Sequence, residues 1–382
     1  MKIGILTQPL HANYGGLLQN FALQQVLIRA GHEVNTIDWD VVKGIHVQMY
    51  QIKMRILSIL FPSKYPKVKY QPNENEQYII RRNTNYFISS YISHTKVVHS
   101  RKEFELQSLK DNYNAYVVGS DQCWRPSYNM FLSSMFLDFA KYQNVKRIAY
   151  AASFGTDQWE FTPQQIAICT PLVQLFDLVT VREDSGMKLC KKYFGVDAIH
   201  VLDPTMLLTK EDYISLIKVE KEPQSAGSLF NYILDPDVKK SAFIQRVADV
   251  KGLRSFQVLP KYQAEIRTKE DVKKRIEDCI FPRVTTWLRA FMDAEMTIVD
   301  SFHGMVFSII FNKPFWVIGN ASRGMSRFTS LLKVFSLEDR LLDVNNLKNI
   351  DVSKPINWES INGILEEKRI ECKALLLNKL SE

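Results

Sequence analysis

Apolar residues follow two alternating rhythms along this chain. Short apolar runs end in polar or glycine-bearing loops, and stretches with apolar positions three and four apart follow them. Lys2 to Thr7 predicts a strand, residues 8–16 a loop, and Leu17 to Ala30 a helix with Leu18, Phe21, Ala22 and Val26 on one face. Gly31 then stops the helix, and Val34 to Trp39 predicts the next strand. This β-loop-α-β unit builds parallel, doubly wound sheets. Further strands are expected at Ala115–Val118, Arg147–Ser153, Leu178–Val181 and Ile199–Leu202. A second series begins near Pro204. Its expected strands are Leu229–Leu234, Ser255–Leu259, Met296–Val299 and Phe315–Ile318. Its expected helices are Val238–Val250, a charged stretch around 268–278, Thr285–Asp293, Ser301–Asn312 and Ser326–Phe335. The pattern predicts an α/β protein of two Rossmann-like domains, 1–203 and 204–345, facing a central cleft. A helical tail, 346–382, with its helix from Ile361 to Leu380, is expected to pack back on the first domain. Open α/β sheets bind ligands at their carboxyl edge, so the loops after the strands are where chemistry is expected.

Composition narrows the class. The 382 residues are 46% hydrophobic, which excludes wholesale disorder. A net charge of +8 points to anionic partners, either small substrates or an anionic membrane surface. The chain carries no RNP, zinc-finger or leucine-zipper pattern, so no nucleic-acid partner is expected. The N-terminus reads as a strand and not as a signal peptide, and no uncharged apolar run reaches membrane-spanning length. Cys123, Cys169, Cys190, Cys279 and Cys372 are scattered, with no C-x-x-C pair, which fits a reducing cytoplasm and argues against a zinc site. Metal-independent chemistry in the cytoplasm is therefore expected. Residues 43–110 are expected to form a helical, basic insertion. Within it, 43–70 carries Lys43, Lys53, Arg55, Lys64, Lys67 and Lys69 among apolar residues. That stretch is either a peripheral contact with the inner membrane face or a lipid-linked acceptor, or an ordinary solvated basic face. The pattern does not speak to oligomeric state.

The candidate chemistry lies in six segments. Thr297-Ile298-Val299-Asp300-Ser301-Phe302-His303-Gly304 takes an apolar strand into a helix, with Asp300 and Ser301 both good N-caps and His303 in the first turn. The free N–H groups and positive end of that helix suit an anion and favour a neutral imidazole. His303 is either an anion-site and proton-transfer residue or a packed histidine under a capped helix. The first loop ends in Asn13-Tyr14-Gly15-Gly16, where two glycines permit close approach to a ligand or make a tight turn. It matches neither G-x-G-x-x-G nor a Walker sequence. Gly119-Ser120-Asp121 follows a strand. Ser120 and Asp121 could bind sugar hydroxyls with Trp124 as a stacking face, or could cap a helix and fill a core. Arg182 closes another strand and could fork to a carboxylate or phosphate, or be neutralised by Glu183 beside it. Asp203 before Pro204 reads as an extended interdomain turn. Arg323 and Arg327 either complete an anion pocket on the second domain or are solvated.

Together these segments resemble the polysaccharide pyruvyl transferase family. The resemblance rests on N-Y-G-G-L-L-Q-N-F-A-L-Q from Asn13, G-S-D-Q-C-W from Gly119, A-Y-A-A-S-F-G from Ala149, V-R-E from Val181, L-D-P-T from Leu202 and D-S-F-H-G-M-V-F-S-I-I-F-N-K-P-F from Asp300. It implies a GT-B-like arrangement of two Rossmann-like domains. It implies transfer of a pyruvyl group from phosphoenolpyruvate, as a co-substrate and without a separate cofactor, to a sugar of a cell-surface polysaccharide or its lipid-linked precursor. By position, His303 and Arg182 resemble the histidine and arginine of catalysis and donor binding, with Asp121 a further candidate for base or acceptor contact. Asn13, Tyr14, Gly15, Gly16, Ser120, Trp124, Ser301, Phe302, Gly304, Arg323 and Arg327 are the expected substrate-binding set. Some members carry arginine and leucine just before the histidine, where this chain has Ser301 and Phe302. That departure leaves Arg323 or Arg327 to supply the missing cation. Two competing readings share the architecture: a GT-B glycosyltransferase using a nucleotide sugar, and a non-catalytic carbohydrate-binding protein.

Overall fold

The structure, a computed structural model, describes residues 1–40, Leu57, Leu60, Tyr70, 72–262, 269–319, 324–348 and 350–382. Most of the basic stretch 43–70, and Arg323, lie outside the described residues.

The first domain is built on six parallel strands in the order β2-β1-β3-β4-β5-β6: β1 Lys2–Leu6, β2 Glu33–Thr36, β3 Ala115–Val118, β4 Lys146–Ala152, β5 Leu178–Val181 and β6 Ile199–His200. Every residue of β3 and β5 is buried, as expected for parallel strands covered on both faces. Its helices are α1 Tyr14–Arg29, α2 Glu74–Ile80, α3 Arg82–Tyr91, α4 Arg101–Asp111, α5 Pro163–Val173 and α6 Asp184–Leu189. Helix α1 begins earlier than its apolar spacing predicts. The Asn13 side chain accepts from Gly16 N at 3.2 Å and caps it, so Gly15 and Gly16 lie in the first helical turn and not in a loop. Strand β2 stops short of Trp39 because Thr36 turns to exchange backbone hydrogen bonds with Ser93 and Thr95.

The second domain has the order β11-β10-β9-β7-β8, again all parallel. Its elements are α7 Lys210–Val219, β7 Leu229–Tyr232, α8 Val238–Lys251, β8 Ser255–Phe256, α9 Lys269–Lys274, α10 Val284–Asp293, β9 Met296–Val299, α11 Phe302–Ile310, β10 Phe315–Ile318, α12 Ser326–Val334 and β11 Leu341–Leu342. Strand β11, with only two residues, escapes any periodicity argument.

The chain ends in α13, Trp358–Ser381. Its Arg369 Nε donates to the Met206 carbonyl at 2.9 Å, and its Lys379 carbonyl accepts from Lys146 of β4 at 3.0 Å. The two domains also share side-chain contacts. Tyr14 of α1 packs with Tyr232, Phe281 and Trp287, with ring centroids 5.6–6.4 Å apart. The α2–α3 pair braces the same seam, where Phe281 N donates to Ile80 O and Asn83 Nδ2 to Phe281 O. Among the described residues, no helix is long and apolar enough to cross a membrane.

Candidate functional site

Strand β9 runs into Asp300-Ser301, and these two cap candidates divide the work. Ser301 caps α11, its Oγ accepting from Gly304 N at 3.1 Å. The fully buried Asp300 turns away, accepts from the backbone of Leu234 and Asp235, and pairs with Lys240 Nζ at 2.7 Å. His303 is thus the second residue of α11, and only 9% of it is exposed. A Cβ on Gly15 would stand 2.0 Å from its Nδ1, so the first turns of α1 and α11, one from each domain, abut at this imidazole. Two positive helix ends meeting in one place favour a negative group between them.

That negative charge is supplied by a buried network. Asp203 is 1% exposed. Its Oδ2 accepts from Ser120 Oγ at 2.8 Å and Arg182 Nη1 at 3.0 Å, and its Oδ1 accepts from Thr205 N and Oγ1. His303 Nε2 lies 3.6 Å from Oδ2, a few tenths of an ångström beyond a normal hydrogen bond. Burial alone would raise the Asp203 carboxyl; His303, Arg182 and the Thr205 N–H more than offset it and hold it well below the usual range. Arg182, 2% exposed, also reaches Ser120 Oγ at 3.2 Å and Asp121 Oδ1 at 3.4 Å, and its guanidinium lies 4.5 Å over the Phe302 ring. Arg327 lies over the same ring at 5.8 Å. Burial, followed by repulsion from Arg182, pushes Arg327 down to about 10. Asp121 takes a left-handed backbone, φ 78°, an uncommon conformation for a residue with a side chain. Burial opposes its ionisation, but Arg182, His303 and Arg327 prevail and keep its carboxyl lowered.

Glu183 does not neutralise Arg182 by direct pairing. Its Oε1 accepts from Ser153 Oγ, Phe154 N and Gly155 N, and burial raises its carboxyl. The loop it holds is launched by a bulge in β4. The register shifts between Ala149 and Ala152, Ala151 sits at φ 52°, and the Thr180 hydroxyl donates to Ala149 O and accepts from Ala151 N. The loop ends at Gly155, whose carbonyl would lie 1.9 Å from a Cβ on Gly324 of the second domain. Beside it, Ser330 Oγ donates to Asp184 Oδ1 at 2.7 Å.

The expected residues therefore separate. His303, Arg182, Asp121, Ser120, Phe302, Arg327 and Gly15 come together at the seam. Trp124 does not join them, and its reading as a stacking face is corrected. It is wholly buried, stacks on Phe136 at 4.9 Å and donates to Met135 O, because the chain after Asp121 dives into the core. Tyr14 is likewise corrected: 1% exposed, its ring is interdomain packing and its hydroxyl donates to Pro282 O. Asn13 and Ser301 are caps, Gly16 N is the group Asn13 caps, and Gly304 fits against Val299, where a Cβ would come within 2.9 Å. The sequence reading missed Asp203 as the hub. It caps the short helical turn Pro204–Leu207, and an Asp two residues before Thr205, just past β6, signals a carboxylate fixed at the sheet edge. Among the described residues, no three His, Cys, Asp or Glu side chains come together as metal ligands.

Two solved structures share the two-domain arrangement. UDP-GlcNAc 2-epimerase from Methanocaldococcus jannaschii is 13% identical over 99% of this chain and 100% of its own, with a TM-score of 0.51. The S. aureus protein MnaA, solved with UDP, is 13% identical over 100% of this chain and 98% of its own, with a TM-score of 0.50. At that identity the likeness establishes a GT-B-like fold and nothing about ligands. No curated protein matches the sequence closely enough to count as a relative. The family model described as polysaccharide pyruvyl transferase matches residues 13–322, a span that holds both sheets' central strands, Arg182, Asp203 and His303. The chain belongs to the polysaccharide pyruvyl transferase family.

Proposed function

We propose that this chain moves a pyruvyl group from phosphoenolpyruvate onto two hydroxyls of one sugar, in a cell-surface polysaccharide or its lipid-linked precursor. The observation that carries this reading is the placement of His303 in the first turn of α11, 3.6 Å from Asp203 and within the Arg182 network. His303 adds a proton to the methylene carbon of the donor, turning it into a methyl group and leaving positive charge on the adjacent carbon. The first sugar hydroxyl bonds to that carbon and returns its proton to the imidazole. The bond from that carbon to the phosphate oxygen then breaks. The second hydroxyl closes the ketal, and its proton leaves with phosphate. Arg182 and Arg327 face the donor's anionic groups, and Ser120 and Asp121 face the acceptor. Every one of these side chains is buried in the closed arrangement, so the donor enters when the domains part and is enclosed when they meet. The basic composition of 43–70 supports docking on an anionic membrane surface that carries the acceptor; purified protein that ignores anionic vesicles at low salt would end that part.

Thermal unfolding with millimolar phosphoenolpyruvate, beside UDP-, GDP- and CMP-linked compounds, tests the reading. A ligand at 100 times its Kd adds about 2.7 kcal/mol. Stabilisation by phosphoenolpyruvate that is lost in Arg182→Lys supports pyruvyl transfer. Stabilisation by one nucleotide and none by phosphoenolpyruvate replaces it with nucleotide-sugar chemistry.

A further inference from the structure

We infer that Asp203 is the positioning residue of His303: across the domain seam it fixes the imidazole as the Nε2–H tautomer and leaves Nδ1 as the atom that exchanges a proton with a ligand. The inference deepens the proton-transfer role proposed for His303.

The imidazole is wedged between two parts of the other domain. Its Nδ1 edge lies against the bare Cα of Gly15. Its Nε2 is shut off from solvent, makes no hydrogen bond, and has Asp203 Oδ2 at 3.6 Å. A lone pair on Nε2 would face a carboxylate oxygen that Arg182 and Ser120 keep ionised and fixed in place; an N–H there is attracted to it. Among the described residues, Asp121 also interacts electrostatically with the imidazole, and Arg182 and Arg327 lie over the ring of its neighbour Phe302. The two arginines are held over Phe302, and Asp121 pairs with Arg182, which leaves Asp203, 3.6 Å away, as the acceptor for Nε2. A closing movement of a few tenths of an ångström completes the hydrogen bond. Once Nε2 is committed to Asp203, the proton for a ligand must travel through Nδ1. At that edge Gly15 leaves the ring its place: its bare Cα lies against the imidazole, where a side chain would displace it.

Because His303 sits on the second domain and Asp203 on the first, the pair exists only while the domains are closed. The tautomer is read directly from the imidazole 15N shifts of the full chain without ligand at pH 8, with His303 assigned by its disappearance in His303→Asn. A protonated Nε2 and a bare Nδ1 are expected. A protonated Nδ1 with a bare Nε2 overturns the inference. In Asp203→Asn the preference is expected to relax to a mixture of tautomers; a folded variant with the wild-type tautomer unchanged also overturns it. If that variant does not fold, the wild-type shifts alone decide. No donor is needed, so absence of phosphoenolpyruvate binding would defeat the proposed reaction and leave this pair untouched.

Discussion

Gly15 and His303 are packed backbone to ring across the domain seam, with room for no atom at the Cβ position of residue 15. A methyl group there must displace the histidine or hold the domains apart. Gly15→Ala is therefore expected to lower stability by about 1–3 kcal/mol, the usual cost of overpacking, and to abolish stabilisation by phosphoenolpyruvate. Denaturant unfolding with and without the donor checks both. Unchanged donor stabilisation would mean that closure does not need this contact.

Arg182 neutralises two buried carboxylates at once. Arg182→Met leaves Asp121 and Asp203 uncompensated, and a loss of about 3–5 kcal/mol is expected in urea unfolding. The double change Arg182→Met with Asp203→Asn is expected to recover part of it. A double mutant as unstable as the sum of the two singles would show that the charges are not coupled.

Acid stability should carry opposite contributions from two neighbouring carboxylates. Asp203 has a folded value below its unfolded one, near 3.9, so the unfolded chain takes up a proton that the native one refuses. Its contribution is present above that pH and drains as pH falls toward the folded value, by up to about 1.4 kcal/mol per pH unit. Glu183 is raised by burial, so its contribution is full below about 4.3 and is lost as pH rises through its folded value. Urea unfolding from pH 3 to 7 should therefore show a shallower acid slope in Asp203→Asn and a smaller loss on the neutral side in Glu183→Gln. Parallel curves for all three proteins would refute the assignment.

Trp124 should matter to folding and not to sugar. Trp124→Ala is expected to cost about 3–5 kcal/mol, as for other buried aromatic truncations, while Trp124→Phe keeps most of the core and leaves acceptor affinity unchanged. Acceptor titration of the Phe variant decides; a marked loss of affinity would return Trp124 to the site.

Local pattern made the fold legible. Strands at Ala115, Leu178, Met296 and Phe315 end where their apolar runs end, because burial on both faces needs uninterrupted apolar sequence. His303 and Arg182 were legible because helix starts and strand ends have local signatures. Asp203 was not read as a site residue: its turn is visible beside Pro204, but Ser120, Arg182 and His303 reach it from distances in sequence that no local pattern records. Trp124 misled for the same reason, since an aromatic after Gly-Ser-Asp reads alike whether it faces a ligand or Phe136.

Where Gly324 meets the carbonyl of Gly155, the domains touch through bare peptide. Side chains that meet at a closing seam must give up rotamer freedom, of order 0.5–1.5 kcal/mol for each long one immobilised. Gly324 has no side chain to immobilise, so the contact with the Gly155 carbonyl gives up no rotamer freedom. The fit of the two domains at this point is thus written in one missing methyl group, that of Gly324, while the one missing from Gly155 makes room for Gln122 of its own domain.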